Sequence, residues 1–390
     1  MASRLCFFLL VFVSLVSTST AAVHFTHWYG QYRKVFEQIM EDNCQEEYRT
    51  YLHKVAPKDY LSEYVTPVID CILENLNETR KSNMAAAAVL LGLLPTTLGL
   101  VGSTTVEVGL VALRRPFLAF LLAAGAPAVS PIRTFDYIDT TELLERKPRT
   151  IRIKRMGWSS GFFISVFQYV MAAAAVVNLA FVSYEICIQT ICSFAPETAY
   201  LPALWAFLAV AVHFFGTWSV YCRTRIVIRP SEKPPTGLWQ MLCAEFTPSA
   251  SRKQAAQLEI KEETYLYIFL SWFTATGTVL HIVYGTLVFS SLIFISTSDA
   301  TAVVGRYLAS TLVCRVIVMY ELSGLREVLD DRRQDSHHAH GGPELIPMEP
   351  PSGSGSMSFG ERLSSPWKRG SLSRTDEWQP LRGADSHGEA

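Results

Sequence analysis

Apolar runs of about twenty residues, separated by short basic segments, dominate the sequence between residues 84 and 322. A backbone group left without a hydrogen-bond partner in hydrocarbon costs several kcal/mol, and a helix satisfies its own groups locally. Runs of this length therefore specify helices that cross a core about 30 Å thick. The pattern predicts an all-α membrane protein with about five transmembrane helices, over 84–106, 158–182, 201–221, 265–288 and 301–321. Nearly half of the 390 residues are apolar while the net charge is −1, so the apolar residues must be segregated from a polar remainder.

One stretch decides the topology. In "LVALRRPFLAFLLAAGAPAVSPIR", residues 110–133, Arg114 and Arg115 interrupt an otherwise apolar run. From Met84 to Leu113 is about 45 Å of helix, longer than the core. Its end, with Glu107, is expected to tilt or emerge, and Pro95 to kink it without stopping it. Residues 116–129 are too few to cross. The segment that follows carries Arg133, Arg146, Lys147, Arg149, Arg152, Lys154 and Arg155, a density of positive charge that belongs in the cytosol. A crossing at 116–129 would leave either that cluster or the arginine pair outside. The sequence therefore predicts a re-entrant or interfacial segment in the cytoplasmic leaflet, an outer or lumenal N-terminus and a cytosolic C-terminus. A second basic loop, Arg223 to Glu263, contains "GLWQMLCAEF", in which Leu238, Leu242 and Phe246 fall one turn apart. A helix on the bilayer surface and a helix packed under the bundle both fit that pattern.

The N-terminal "MASRLCFFLLVFVSLVSTSTAAV" has one charge at Arg4, an apolar core and small residues at its end, which reads as a signal peptide over 1–22. Residues 23–83 read as short amphipathic helices of an outer segment, with Val35, Ile39 and Met40 on one face and Val68, Ile69, Ile72 and Leu76 on another. About 60 residues make a poor independent core, so a staple is expected. Cys44 and Cys71 lie here, and Cys187 and Cys192 in the loop between the second and third spans. Four cysteines allow three pairings; the local ones, 44 with 71 and 187 with 192, are expected on the oxidising side, with Cys222, Cys243 and Cys314 reduced. Residues 323–390, rich in Ser, Gly, Pro, His and both charges, lack the apolar surface to offset chain entropy and predict a disordered cytosolic tail.

At "CILENLNETRKSNMAAAAVLLGLLPTTLGLVGSTTVEVGL" and "RRPFLAFLLAAGAPAVSPIRTFDY", and again at "LSWFTATGTVLHIVYGTLVFSS" and "GRYLASTLVCRVIV", the chain resembles an uncharacterised family of multi-pass membrane proteins of filamentous fungi. The resemblance covers about residues 70–330. It implies a fungal protein of the secretory pathway or plasma membrane and carries no activity or functional residues with it.

Several polar residues invite a role. His213 and His281 fall near the middle of the third and fourth spans; facing each other they would suit a metal, a haem or a proton path, whereas hydrogen bonding within the bundle explains them without one. Glu107, Arg306 and Arg315 would form an intramembrane charge pair on a substrate path, whereas snorkelling to headgroups explains both arginines without a partner. Asn77 stands in a glycosylation sequon, "NET". In the tail, Ser365 precedes a proline and Ser371 follows Lys368 and Arg369, contexts that suit phosphorylation. No nucleophile elbow, zinc-protease helix, calcium loop or phosphate loop stands in a plausible context, so neither an enzyme nor a cofactor is expected. The residues read best as a non-enzymatic, receptor- or scaffold-like membrane protein whose tail, 323–390, recruits cytosolic proteins. The alternative is a transporter or channel lined by Glu107, His213, His281, Arg306 and Arg315. Beyond the bilayer the sequence names no partner, implies no nucleic acid and specifies no oligomeric state.

Overall fold

The computed structural model describes residues 24–53, 62–131, 158–228, 243, 245–251 and 256–339. The expected signal peptide, and the tail beyond 339 with Ser365 and Ser371, lie outside the described residues. Three short helices come first, α1 (Arg33–Asp42), α2 (Gln45–His53) and α3 (Ser62–Glu74). Their apolar faces meet as the periodicity requires: Ile39, Met40, Val68, Ile69, Ile72 and Leu76 are buried around Phe25, Trp28 and Phe36, with Val35 half-buried beside them. The Cys44–Cys71 disulfide ties the start of α2 to α3.

The chain then runs through α4 (Glu78–Gly92), α5 (Leu94–Val101), α6 (Thr105–Ala112), α7 (Pro116–Gly125) and α8 (Trp158–Gln189). It continues through strand β1 (Ile191–Cys192), α9 (Leu201–Arg223), β2 (Thr224–Ile228), a 3-10 turn (Ser249–Ser251), β3 (Ala256–Ile260), α10 (Tyr265–Ser290), β4 (Leu292–Ile293) and α11 (Thr297–Ala339). Among the described residues five segments are long and apolar enough to cross a bilayer: Glu78–Val101, Ser160–Gln189, Leu201–Arg223, Tyr265–Ser290 and Thr297–Arg326. The protein is an all-α integral membrane protein with five spans and one shorter apolar helix, α7. Each span has two faces. On α8, Ala172, Ala175, Leu179, Val182 and Ile186 are buried at helical spacing, while Phe163, Phe167, Val170, Val177 and Phe181 are exposed where lipid contacts the bundle.

The first span bends at Leu93 without stopping, as expected near Pro95: Leu93 keeps αR geometry, and the helical bonds from the Leu93 N–H to Val89 and from the Thr97 N–H to Leu93 run through the joint. Helix α4 ends at Gly92 and α5 resumes at Leu94, with Pro95 in its first turn, where a missing N–H costs nothing. Gly285 on α10 permits the close approach around it, since a Cβ there would lie 2.2 Å from the Trp205 Nε1 and 2.8 Å from the Pro95 Cγ. After α5, the Gly102–Thr104 break redirects the chain into α6, which descends along α9: a Cβ at Gly109 would meet Val220, and one at Gly216 would meet Thr105. Arg114 and Arg115 make the turn, and α7 climbs back. Arg115 is bonded to Ser165 and Gln168 near the start of α8. Gly125 lies by Ala175 and Cys314, deeper in the bundle. The extended 126–131 continues to Gly99, which lies beside Pro131 and Ile282, still eight residues from the end of α10 at Ser290. Segment 116–129 thus enters the bundle from the turn and reaches the level of Gly99 and Ile282 at Pro131, and its continuation lies outside the described residues.

Two small sheets lie outside the spans. β1 pairs antiparallel with β4, and β2 with β3. The second ribbon occupies part of the basic loop, where "TRIVI" supplies the β-branched residues that favour it. The last helix also runs past the expected tail boundary at 323, to Ala339. Cys187 and Cys192 are free thiols, which corrects the expected 187–192 bridge. Cys187 sits in the last turns of α8, while Cys192 is held in the β1–β4 pair with its Sγ 2.9 Å from the Ser291 Oγ. Cys222, Cys243 and Cys314 are also free.

The Cys44–Cys71 bridge closes a separation of 27 residues, which is worth roughly 3 to 4 kcal/mol in the chain-entropy model. Replacing both cysteines by serine is therefore expected to loosen α1–α3 selectively, read as faster amide exchange over 24–76 with the spans unchanged. Burial lowers the pKa of His24, against the opposing effect of its bond to the Glu197 backbone. The native state thus keeps this ring neutral while the unfolded chain protonates it near pH 6.5. The same exchange measurement should show full protection of 24–53 above about pH 6.5 and a loss as the pH falls below it.

Candidate functional site

The densest polar cluster lies where α7 begins. Arg115 is completely buried, and four of its five N–H donors have partners. The Nε donates to the Glu245 carbonyl at 2.8 Å, one Nη1 proton to Gln168 Oε1 at 2.5 Å, another to Glu321 Oε1 at 2.7 Å, and Nη2 to Ser165 Oγ at 2.5 Å. Glu321, equally buried, has both oxygens occupied. Gln168 Nε2 donates to Oε1 at 2.8 Å, and the backbone N–H and hydroxyl of Ser249 donate to Oε2 at 3.1 and 2.9 Å. A buried ion is tolerated only when paired and hydrogen-bonded in this way.

The carboxylate of Glu245 caps α7 from outside its own helix. Its Oε1 accepts from the N–H groups of Phe117 and Leu118 at 3.0 and 3.1 Å and from the Tyr169 hydroxyl at 2.8 Å. The first turn of a helix presents unpaired N–H groups and a partial positive charge, and a carboxylate answers both. Tyr169 also stands beneath the Arg115 guanidinium, 5.2 Å from centroid to cation, and against Phe246 at 4.8 Å. Residues 245–251 are therefore packed against the bundle, while Leu238, Trp239 and Leu242 of the expected helix lie outside the described residues.

The other intramembrane charges are paired as well. Arg315 bonds to Glu107, whose carboxylate simultaneously completes a capping box with Thr104. Arg306 bonds to Glu185, and its Nε donates to Asn178 Oδ1 at 3.1 Å. Asn178 in turn donates to the Arg306 carbonyl and the Ser310 hydroxyl. A carboxylate meets each arginine: Arg315 and Glu107 are largely enclosed by protein, whereas Arg306 and Glu185 are each about one-third exposed. Glu107 is buried among the helices. The two pairs sit on different faces of α11, so Glu107, Arg306 and Arg315 do not form one cluster.

The histidines are not opposed. Trp205 stacks on His281 with ring centroids 5.0 Å apart, and Gly277 lies beside Val212. This antiparallel register of α9 on α10 offsets the two imidazoles by roughly 10 Å along the bundle axis at 1.5 Å per residue. Each is bonded to backbone: His213 Nε2 donates to the Ala128 carbonyl at 3.2 Å and His281 Nε2 to the Trp205 carbonyl at 3.0 Å. Trp205 Nε1 returns a bond to the His281 carbonyl at 3.1 Å. Among the described residues no group of three or more His, Cys, Asp or Glu is placed to hold a metal. Asn77 is exposed, its Oδ1 accepting from the Arg80 N–H at 2.9 Å as the cap of α4.

Sequence reasoning passed over Gln168, Glu245, Ser249 and Glu321. A signal existed for two of them, since Gln168 in "FFISVFQYV" and Glu321 in "VIVMYELSG" are polar residues inside apolar runs, but nothing local says that they meet Arg115. No protein-family profile, curated protein or solved structure matches the chain.

Removing one partner of a buried ion pair leaves the other uncompensated and costs roughly 3–5 kcal/mol, whereas replacing both with apolar groups of similar volume is often nearly neutral. Arg115→Met and Glu321→Leu should each lower the unfolding midpoint strongly, and the double variant should recover most of the loss. A thiol-reactive dye that reports exposure of the buried Cys314 reads this in a background in which Cys6, Cys187, Cys192, Cys222 and Cys243 are replaced by serine.

Proposed function

We propose that this integral membrane protein is a non-enzymatic receptor- or scaffold-like component. In this reading the disulfide-bearing domain faces the exterior or lumen, the basic segments face the cytosol, and the C-terminal tail recruits cytosolic proteins. One observation carries it: α11 is a single helix of 43 residues, about 64 Å long, anchored in the disulfide-bearing domain at one end and continuing past the span at the other. The anchor is specific. Phe294, three residues before α11, packs edge-on against Trp28 and Phe36 at 5.5 and 5.4 Å. Asn83 accepts from the Thr297 N–H at 3.1 Å and donates to its hydroxyl at 2.9 Å. A movement of α1–α3 would thus be felt at the start of a rod roughly twice the hydrocarbon thickness. The charges along the bundle are consumed by one another, which suits a fixed frame.

A transporter or channel is the second reading. His213 Nδ1, His281 Nδ1 and Thr311 Oγ1 are buried without hydrogen-bond partners within the spans, and buried unpaired polar atoms at membrane depth often mark a path.

A biotin ligase fused after Ala390, compared with the same fusion to a chain ending at Ala339, separates the two. Under the first reading the full chain marks a recurring set of cytosolic proteins that the shortened chain loses, and Phe294→Ala changes that set while the protein remains folded. Loss of cellular function on His281→Phe, with the shortened chain fully active, would establish the transporter instead. Labelling of lumenal proteins would reverse the topology.

A further inference from the structure

A groove of about 510 Å3 opens where α3 of the disulfide-bearing domain meets the ends of α4 and α10, within the size range of ligand sites. Its polar and apolar lining is ordered along its length. Asp70 and Glu74 stand one turn apart on the exposed side of α3, Lys81 lies one turn into α4, and Ser290 closes α10. Deeper, the wall is α4 itself, with Ala85 exposed and Ala88 half-buried. Lys81 to Ala88 is about 10 Å of helix, which carries the wall from the headgroup level into hydrocarbon. The alanines leave room that larger residues would fill, on a segment that is part of the first span.

We propose that this groove holds one zwitterionic glycerophospholipid of the adjoining leaflet. Its ammonium lies against Asp70 and Glu74, its phosphate against Lys81, and one acyl chain along Ala85 and Ala88. The charge order selects this occupant. An anionic headgroup would meet two carboxylates at the rim, and a simple cationic amphiphile would leave Lys81 without an anion beyond its neighbour Glu78, 2.7 Å away. The lysine ammonium has three donors, so it serves Glu78 and a phosphate together. Among the described residues neither Asp70 nor Glu74 has an ion-pair partner.

Native mass spectrometry of the full-length protein in detergent tests the assignment, after incubation with equal amounts of phosphatidylcholine and phosphatidylglycerol of identical chains. The expected result is preferential retention of phosphatidylcholine by about tenfold. The preference should vanish in the Asp70→Asn, Glu74→Gln double variant, and total retention should fall in Ala88→Phe, which fills the deeper wall. Ala85→Leu replaces Ala88→Phe if the latter lowers the unfolding midpoint. Equal retention of the two lipids, detergent adducts alone, or undiminished phosphatidylcholine in the filled variants would overturn the proposal.

Discussion

The buried guanidinium of Arg115 is the constraint around which one end of this bundle is arranged. An ion of that size withdrawn from water must be met on nearly every side, and here the partners come from three separate stretches of chain: Ser165 and Gln168 on α8, the 245–251 segment, and Glu321 on α11. Any sliding of one helix against the others by a residue would break several of these bonds at once. Burying such a network adds little net stability compared with a well-packed apolar substitute; its contribution is register. Ridge-and-groove packing of Leu, Val and Ala fixes helix positions only loosely in a membrane, where lipid tails compete on equal terms for apolar contact.

The opposite end is held by a different kind of interaction. Phe294 adopts a left-handed backbone conformation, φ 69°, which is costly for a bulky residue and persists where packing over-determines it. The aromatic rings of Trp28 and Phe36 supply that packing, in the same core that the Cys44–Cys71 bridge closes. One end of α11 is therefore positioned by aromatic packing and the other by charge. The helix between them has no internal break, so the two ends are mechanically one element.

The membrane class, the five spans and the amphipathic faces of α1 and α3 were legible because each depends on short-range periodicity, which sequence displays directly. Residues 116–129 were legible as distinct from the spans because they are too few to cross, and α7 is a helix of 10 residues; the return expected of the segment falls at residues outside those described. An intramembrane pair of Glu107 with an arginine was legible as a candidate, and Arg315 is the partner it meets; the pairing of Arg115 with Glu321 was not, since the two are more than 200 residues apart and their meeting is decided by helix order in the bundle. Snorkelling is the default for a lone intramembrane arginine, and neither arginine here is alone, because a carboxylate on another helix meets each one. The 187–192 pairing failed for a related reason: proximity in sequence does not bring two sulfurs together when one lies on a helix and the other in a strand pair.

The distance between Arg115 and Glu321 also orders events in time. A ribosome adding about 5–20 residues per second delivers the carboxylate some tens of seconds after the guanidinium. During that interval Arg115 has no anionic partner in α11, and water or lipid headgroups must keep it solvated. The apolar α7 helix that follows it can seat fully in the bundle only once the last span has been inserted. Helix α7, early in the sequence, is in this sense the final piece of the membrane domain to be built.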